Sequence, residues 1–331
     1  MSKKMAALYN EMVNIEFYLK DGGLPQTVQK DFKPHWIENL ESEKYHADRG
    51  SLSSTGLKVL LAQTPAHFKS NWTRGEDVGK EKDHLRYGSL AHLALLEPEK
   101  FRSSFVLEPV FEGFTKDGKL STQSKEAKDK KKLWYANLPQ GSLVVTPEDY
   151  SRIEGGIKSI LAHKKAVGIL NGAKTEISGF FRHPATGIKC RIRPDILHIE
   201  KMSLTDFKTT RCAAEWFFGP ELIRRKYHIS LMFYALGVKE ITGKMPDKIS
   251  ILAVEKDPPY ACALWVMSEE TMKLGLDRVE EGMAIMKSCL DTNTWPSYQE
   301  NGLAQEIQVP QWAFTEQAPF YNFEHEELSN G

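Results

Sequence analysis

The second half of the chain consists of short strands, which replace the helical periodicity of the first half near residue 175. Residues 188–199 show this best, because apolar Ile188 and Cys190 alternate with charged Lys189 and Arg191. Further strands are predicted at 175–182, 203–209, 248–255 and 260–267, and helices at 213–242 (interrupted by Pro220) and 268–290. A meander of three antiparallel strands, a crossover helix and two more strands predict a three-layer α/β fold.

The first half is predicted to be mainly helical. Ser53 can cap one helix that Pro65 ends, and Pro147 opens another. The residues before Ser53 show few clear periods and are interpreted as an appended N-terminal segment. The predicted helices cover 54–64, 84–97 and 148–170, and residues 111–132 are predicted to be a loop or a loop leading into a charged helix.

Charge is distributed unevenly along the chain. Lys and Arg number 44 and Asp and Glu number 44, so the net charge is zero, which by itself argues against a nucleic-acid-binding protein. Residues 152–226, however, contain 15 basic and 7 acidic side chains, whereas the final 41 residues contain 7 acidic side chains and no Lys or Arg. The neutral total is therefore compatible with one basic surface that contacts phosphate.

Two carboxylates and a lysine lie on consecutive predicted strands of this basic region. Asp195 follows Pro194 on the second strand, and Asp206 and Lys208 share a face of the third, with Phe207 opposite in the core. Neighbouring carboxylates ionise together only at a cost unless a cation lies between them, so Asp195 and Asp206 suit a hard divalent ion such as Mg²⁺. In phosphodiester hydrolysis, a lysine ammonium beside that ion can position a water molecule or help to deprotonate it, or it can stabilise a developing negative charge. Taken alone, the spacing is explained equally well by surface ion pairs.

Further motifs accompany this trio in a fixed order. They are Tyr45-His46-Ala47-Asp48, the segments 52–58, 64–68 and 87–92, Tyr227-His228 with Tyr234, Trp295-Pro296-Ser297-Tyr298, and Val309-Pro310. Together with Pro194-Asp195 and Asp206-Phe207-Lys208 they resemble the PD-(D/E)XK nuclease superfamily, and within it the exodeoxyribonuclease VIII (RecE-type) family of phages and prophages. The resemblance covers about residues 45–313. In one departure, Ser230 stands where related nucleases often have glutamine.

The resemblance implies an α/β fold with a PD-(D/E)XK core, in which helices flank a mixed central β-sheet and an N-terminal helical elaboration precedes it. It divides the chain into an N-terminal extension at 1–44, an exonuclease domain at 45–313 and an acidic C-terminal tail at 314–331. Within the domain, residues 45–172 are the helical part and residues 173–290 are the catalytic core.

The resemblance also implies roles for individual side chains. His92, Asp195 and Asp206 are implied as ligands of Mg²⁺, or of Mn²⁺, and Lys208 as the residue that serves the attacking water. All four are candidate catalytic residues. Without the resemblance, His92 is better interpreted as a core histidine on an apolar helix. Glu176, Tyr227 and His228 are further candidates, for which an exposed strand position or core packing is at least an equal alternative.

Basic side chains near these residues are candidates for contact with DNA phosphates. Arg191 and Arg193 have the strand parity of Asp195 and are therefore predicted to point towards its side, with salt bridges to neighbouring acids as the alternative. The predicted DNA-binding set is completed by Arg211, Arg224, Arg225 and Lys226.

The implied activity is that of a Mg²⁺-dependent exodeoxyribonuclease that degrades linear double-stranded DNA 5′→3′. It leaves 3′ single strands for recombination by an annealing protein of the RecT type. The resemblance further implies a homo-oligomeric ring around DNA ends and a phage- or prophage-encoded protein. A segment with the features of a signal peptide or a membrane span is not found, which predicts the cytoplasm of the bacterial host and no membrane contact.

Two alternatives remain open at this point. One is a RecB- or Cas4-like nuclease with endonuclease activity, although the four cysteines lack the grouping that the iron–sulfur form of the latter requires. The other is a non-catalytic DNA-binding or recruitment protein on a nuclease fold. Retention of Asp195, Asp206 and Lys208 argues against it.

Overall fold

A computed structural model describes residues 23–73, 83–299, 304 and 306–308. The acidic tail predicted at 314–331 and the Val309-Pro310 motif lie outside the described residues, as do residues 1–22 of the predicted extension. The described part of the chain contains no helix that combines the length and the apolar character needed to cross a membrane.

Helices dominate the first part of the described chain and strands the second. The helices are α1 Ser42–Ala47, α2 Ser54–Ala62, α3 Pro65–Thr73, α4 Asp83–Leu96, α5 Pro98–Ser104, α6 Lys125–Ala136, α7 Pro147–Ala162, α8 Lys164–Leu170, α9 Glu215–Arg224, α10 Tyr227–Thr242 and α11 Glu269–Thr292. The strands are β1 His35–Ile37, β2 Phe105–Leu107, β3 Gly113–Phe114, β4 Leu120–Ser121, β5 Leu143–Val145, β6 Lys174–Thr175, β7 Ser178–Arg182, β8 Lys189–Ile192, β9 Ile196–His198, β10 Ser203–Thr210, β11 Lys248–Glu255 and β12 Cys262–Val266.

A mixed sheet of five strands forms the centre, in the order β12-β11-β10-β9-β6. Strands β10 and β11 are parallel, and the other neighbours in this sheet are antiparallel. A second sheet has the order β1-β7-β8 and is antiparallel throughout. Helices flank the central sheet, so the predicted α/β class with a mixed central sheet is confirmed.

The meander that leads into β10 bends from one sheet to the other. Residues 175–182 and 188–199 were each predicted as one strand, and both predictions are wrong. Each segment is divided between the two sheets. Pro194 lacks an N–H group for strand pairing, so β8 ends before it and β9 begins after it. Glu176 lies at the matching break with φ 50°, and its N–H donates to the Asp195 carbonyl at 3.2 Å.

The two faces of the central sheet contact different cores. On one face, Ile249 and Ile251 of β11 pack with α10 in a core that also includes α2 and α11 residues. On the other face, Phe207, Leu252 and Val254 pack with α4 and α7. Because β10 and β11 are in parallel register, the alternation predicted for β10 is confirmed: Phe207 is buried opposite the face that bears Asp206 and Lys208.

Helix boundaries differ from the prediction where capping decides them. Pro65 begins α3 as well as following α2, since proline fits the first turn of a helix. His163 separates α7 from α8 by accepting a hydrogen bond from the Ala166 N–H. Pro220 lies inside α9, and the break before α10 comes at Lys226, whose φ of 57° cannot continue a right-handed helix.

Part of the predicted N-terminal extension is built into the domain. Strand β1 pairs with β7, with Trp36 opposite Gly179, and Thr27 forms a bridge to Ile188. The division of the chain into extension, domain and tail stays a prediction.

Candidate active site

The four residues predicted to carry catalysis lie together where α4 crosses the central sheet. Asp206 and Lys208 project from β10, and Asp195 occupies the bend that leads into β9. Strands β9 and β10 pair with Thr205 opposite Ile196, which brings the two aspartates side by side. His92 enters from α4, with its Nε2 atom 3.8 Å from Asp195 Oδ2.

The peptide groups of Phe207 hold this cluster in place. The Phe207 N–H donates to Asp195 Oδ2 at 2.7 Å, and the Phe207 carbonyl lies 2.7 Å from His92 Nε2. Lys208 Nζ donates to the same carbonyl at 3.0 Å. One strand residue therefore orients three of the four candidate side chains through its backbone.

Lys208 lies between the two aspartates. Its Nζ atom is 2.5 Å from Asp206 Oδ2 and 3.5 Å from Asp195 Oδ2. Burial lowers the Lys208 pKa, but the two carboxylates outweigh burial and raise it above its usual value. Burial raises the pKa of Asp206, with the neighbouring Asp195 adding to the effect. Burial also raises the pKa of Asp195, but Lys208 and His92 outweigh it and hold this pKa low.

Glu176 completes the acidic side of the cluster from its position at the bend. Its carboxylate and the ligating atoms of His92 and Asp195 all lie within 4.8 Å of one another. Burial, and then the charge of Asp195, raise the pKa of Glu176 to about 8, although Arg193 lies 3.6 Å from the carboxylate. The structure thus brings Glu176 to the site, whereas the sequence alone favoured an exposed strand residue.

The donor set fits a hard divalent ion. Carboxylate oxygens from Glu176 and Asp195 and one imidazole nitrogen are within mutual reach, with Asp206 adjacent. Oxygen donors suit Mg²⁺ and Mn²⁺, and a histidine nitrogen is compatible with Mn²⁺ in particular. The raised pKa values of Glu176 and Asp206 show that these buried carboxylates lack sufficient compensating positive charge, which such an ion can provide.

Replacing Glu176 with glutamine is expected to stabilise the metal-free protein at pH 8 but not at pH 4.5. The folded-state pKa is raised from 4.5 to about 8, so between these values the folded state binds more protons than the unfolded state. The free energy of unfolding of the wild type therefore falls as the pH rises through this window. Urea unfolding in EDTA should show the Glu176→Gln advantage growing with pH. A difference that does not change with pH would contradict the assignment.

The cluster opens into a cleft of about 640 Å³. His92, Glu176 and Lys208 line it, and basic side chains border it. Tyr227 of α10 also lines the cleft, and Lys208 Nζ lies 5.4 Å from the centre of its ring. The basic residues at the border are Lys100, Arg225 and Lys256. A polyanion such as DNA would therefore meet these basic side chains as it approaches the carboxylates of the cluster.

Arg191 and Arg193 lie beside this cleft in a separate pocket of about 330 Å³, which Glu176 also lines. Because the chain bends at Pro194, Arg191 and Asp195 do not lie on one continuous strand, and the alternation of strand faces does not predict that the arginines point to the side of Asp195. Arg191 is only 2% exposed and lies 5.0 Å from the Tyr45 ring centre. Arg193 donates to the Glu176 carbonyl at 3.1 Å. Their visible contacts support the fold around Glu176, and phosphate binding by either stays a prediction.

The remaining candidates are distributed around α9 and α10. Arg225 borders the cleft, whereas Arg224 is exposed and both arginines pair with Glu221. Arg211 is exposed, with its guanidinium 5.4 Å from the Phe217 ring centre. His228 and Ser230 are not among the residues that line the cleft. Both are buried in α10, and burial lowers the pKa of His228.

Sequence reasoning missed Lys58 as a candidate. This lysine lies on α2, and burial, followed by the charge of Lys208, lowers its pKa to about 8. Asp206 and Lys226 also affect this pKa, so the ammonium group is close to the candidate site. Lys58 lies one helical turn after Ser54, whose hydroxyl donates to the Tyr234 hydroxyl at 3.3 Å. A single cation among the apolar positions of α2 was the available signal.

Residues 53–306 match a domain family described as a PDDEXK-like domain of unknown function (DUF3799). The chain belongs to this family. The match spans both the helical part and the central sheet of the DUF3799 domain, including all five residues of the cluster. It places the chain in the PD-(D/E)XK superfamily, as the motif order predicted.

A solved structure supports the same architecture for this DUF3799 protein. The crystal structure of a protein named "Putative exonuclease" from Eubacterium rectale matches with a TM-score of 0.53 and 16% identity, covering 85% of this chain and 100% of that one. The alignment with a phage-related exonuclease from Haemophilus somnus 129PT covers 74% of this chain and 96% of that chain at 10% identity. Its TM-score of 0.30 is too low to show a shared fold. No curated protein matches the chain significantly.

Proposed function

We propose that this DUF3799 protein is a metal-dependent exodeoxyribonuclease that acts on ends of linear double-stranded DNA. One observation carries the proposal: His92, Glu176, Asp195, Asp206 and Lys208 form one cluster, and three of them, His92, Glu176 and Lys208, line a cleft with a basic border. Membership of a PDDEXK-like family supports nuclease chemistry. The Eubacterium rectale protein is named "Putative exonuclease", which favours action at an end.

The protein's own residues account for several requirements of phosphodiester hydrolysis. Glu176, Asp195 and His92, with Asp206 adjacent, would hold the ion, which when bound stabilises negative charge that develops on the phosphate. The two aspartates keep Lys208 protonated, so its ammonium orients the phosphate or the attacking water and does not accept a proton. Arg225 and Lys256 at the cleft border bind the DNA backbone.

The polarity and biological context of the proposal come from the resemblance to exodeoxyribonuclease VIII. By this resemblance the enzyme degrades the 5′ strand and leaves a 3′ overhang. A single-strand annealing protein of the RecT type then receives the product. The same resemblance supports a homo-oligomeric ring and a phage- or prophage-encoded enzyme in the bacterial cytoplasm.

A time course on labelled linear duplex tests the function. With Mg²⁺ or Mn²⁺, we expect immediate release of label from the 5′ end and delayed loss from the 3′ end, with closed circular DNA left intact. Immediate release from the 3′ end would reverse the polarity. Cleavage of the closed circle would point to an endonuclease, and binding without cleavage of any substrate would indicate a recruitment protein.

A further inference from the structure

Helix α9 exposes a strip of apolar side chains beside the candidate active site. Trp216, Pro220 and Ile223 follow one another at spacings of four and three residues, so they share a face of the helix. Trp216 is 76% exposed and Ile223 is 46% exposed, and Pro220 is exposed as well. We refer to these three residues as the Trp216 strip. Because the three side chains are contiguous on one face, they form an apolar patch of the kind that can mark a contact surface.

The chain connects the Trp216 strip directly to the cleft at both ends. Thr209, on β10, lines the cleft seven residues before Trp216, and Arg225, which follows α9, lines it again. At 1.5 Å per residue, the helix places Trp216 about 14 Å from Arg225 along its axis. This corresponds to roughly four nucleotides of a stacked strand at about 3.4 Å each.

Basic side chains lie at both ends of the Trp216 strip, Arg211 before it and Arg224, Arg225 and Lys226 after it. Arg211 lies next to it with its guanidinium against the Phe217 ring, which itself contacts Trp216 with ring centres 5.9 Å apart. Four basic and two acidic side chains occur between residues 211 and 226. An occupant that combines flat apolar groups with negative charge is therefore favoured over a purely apolar one.

We propose that the Trp216 strip is a stacking platform for unpaired bases of the DNA strand that enters or leaves the cleft. Every base has a face that can stack on indole, and neighbouring phosphates would meet the arginines, as at other single-strand sites. A two-fold symmetric contact with a second copy of the chain fits less well, because it would bring like charges together. Three side chains also fall far short of the roughly 800 Å² per partner of a stable interface.

This inference deepens the proposed function and rests on it for the identity of the ligand. The test measures DNA binding in EDTA, which removes divalent ions, so that the result does not depend on cleavage. Fluorescence anisotropy would compare labelled oligodeoxythymidylate with an abasic oligonucleotide of equal length, at one fixed salt concentration. We expect the wild type to prefer the oligonucleotide that has bases.

The Trp216→Ala variant should lose about tenfold in affinity for oligodeoxythymidylate and nothing for the abasic strand, since one stacked base is lost. Trp216→Phe should lose less, because a smaller ring still stacks. The matched control is Phe114→Ala, which removes an aromatic ring that is 65% exposed and does not line the cleft.

Equal losses on both oligonucleotides, no loss on either, or the same loss with Phe114→Ala would overturn the inference. A lower oligomeric state of Trp216→Ala in sedimentation would overturn it too, in favour of a second copy as occupant. The duplex assay on the wild type separates the two proposals. Base-dependent binding through Trp216 without cleavage would refute only the enzyme, and cleavage with unchanged Trp216→Ala binding would refute only the platform.

Discussion

The Asp206→Asn variant is expected to lose at least about a thousandfold in cleavage rate, or ~4 kcal/mol of transition-state stabilisation. Asp206 Oδ2 lies 2.5 Å from Lys208 Nζ and next to the other carboxylates, so the substitution removes both an ion ligand and the anion that holds the lysine. The measurement is the initial rate of nucleotide release from linear duplex in saturating Mg²⁺, with DNA affinity determined in parallel. Affinity should be retained, since the basic border of the cleft is unchanged.

Asp247→Asn is the matched control for this experiment. Asp247 also pairs with a lysine, Lys244 at 2.7 Å, but both side chains are more than half exposed and lie outside the cleft. The control should cleave at the wild-type rate, because an exposed pair contributes little. An Asp206→Asn protein that still degrades linear duplex at a comparable rate would remove Asp206 from the catalytic group.

The His92→Gln variant is expected to bind Mn²⁺ at least about tenfold more weakly than the wild type, since even outer residues of metal sites typically change affinity by 10- to 100-fold. In the structure His92 Nε2 lies 2.7 Å from the Phe207 carbonyl, so a neutral ring that donates there keeps its lone pair on Nδ1. Glutamine can still donate to that carbonyl but removes the imidazole ligand. Isothermal titration calorimetry with Mn²⁺ measures the change.

The comparison separates a ligand from a positioning residue. His35→Gln serves as the control, because His35 Nδ1 also lies 2.9 Å from a backbone carbonyl, that of Lys33, at an exposed position. It should leave Mn²⁺ affinity unchanged. If His92→Gln also binds Mn²⁺ like the wild type, His92 acts only by holding the Phe207 carbonyl.

Local periodicity was sufficient to predict the central part of the fold. Residues 248–255 were predicted as a strand and form β11 with those bounds, because a buried parallel strand has an almost continuous apolar sequence. The shared face of Asp206 and Lys208 followed from strand alternation in the same way. Both features depend on neighbours within a few residues.

The features that were missed depend on contacts between distant segments. The bend at Pro194 separates two sheets whose existence no local period indicates, and it brings Glu176 back to the cluster. Lys58 comes near Lys208 only because α2 packs with α10 and α11. Neither arrangement has a local signal beyond a proline and an isolated charge.

Phe207 links the packing of helices α4 and α7 to the geometry of the candidate active site. Its ring is 1% exposed in the core shared with α4 and α7 and lies against the ring of His92, with ring centres 4.9 Å apart. Its peptide groups orient Asp195, His92 and Lys208. A packing defect among these helices would therefore shift the candidate cluster even though none of its own residues had changed. The proposed nuclease activity should therefore depend on the packing of α4 and α7 as well as on the cluster itself.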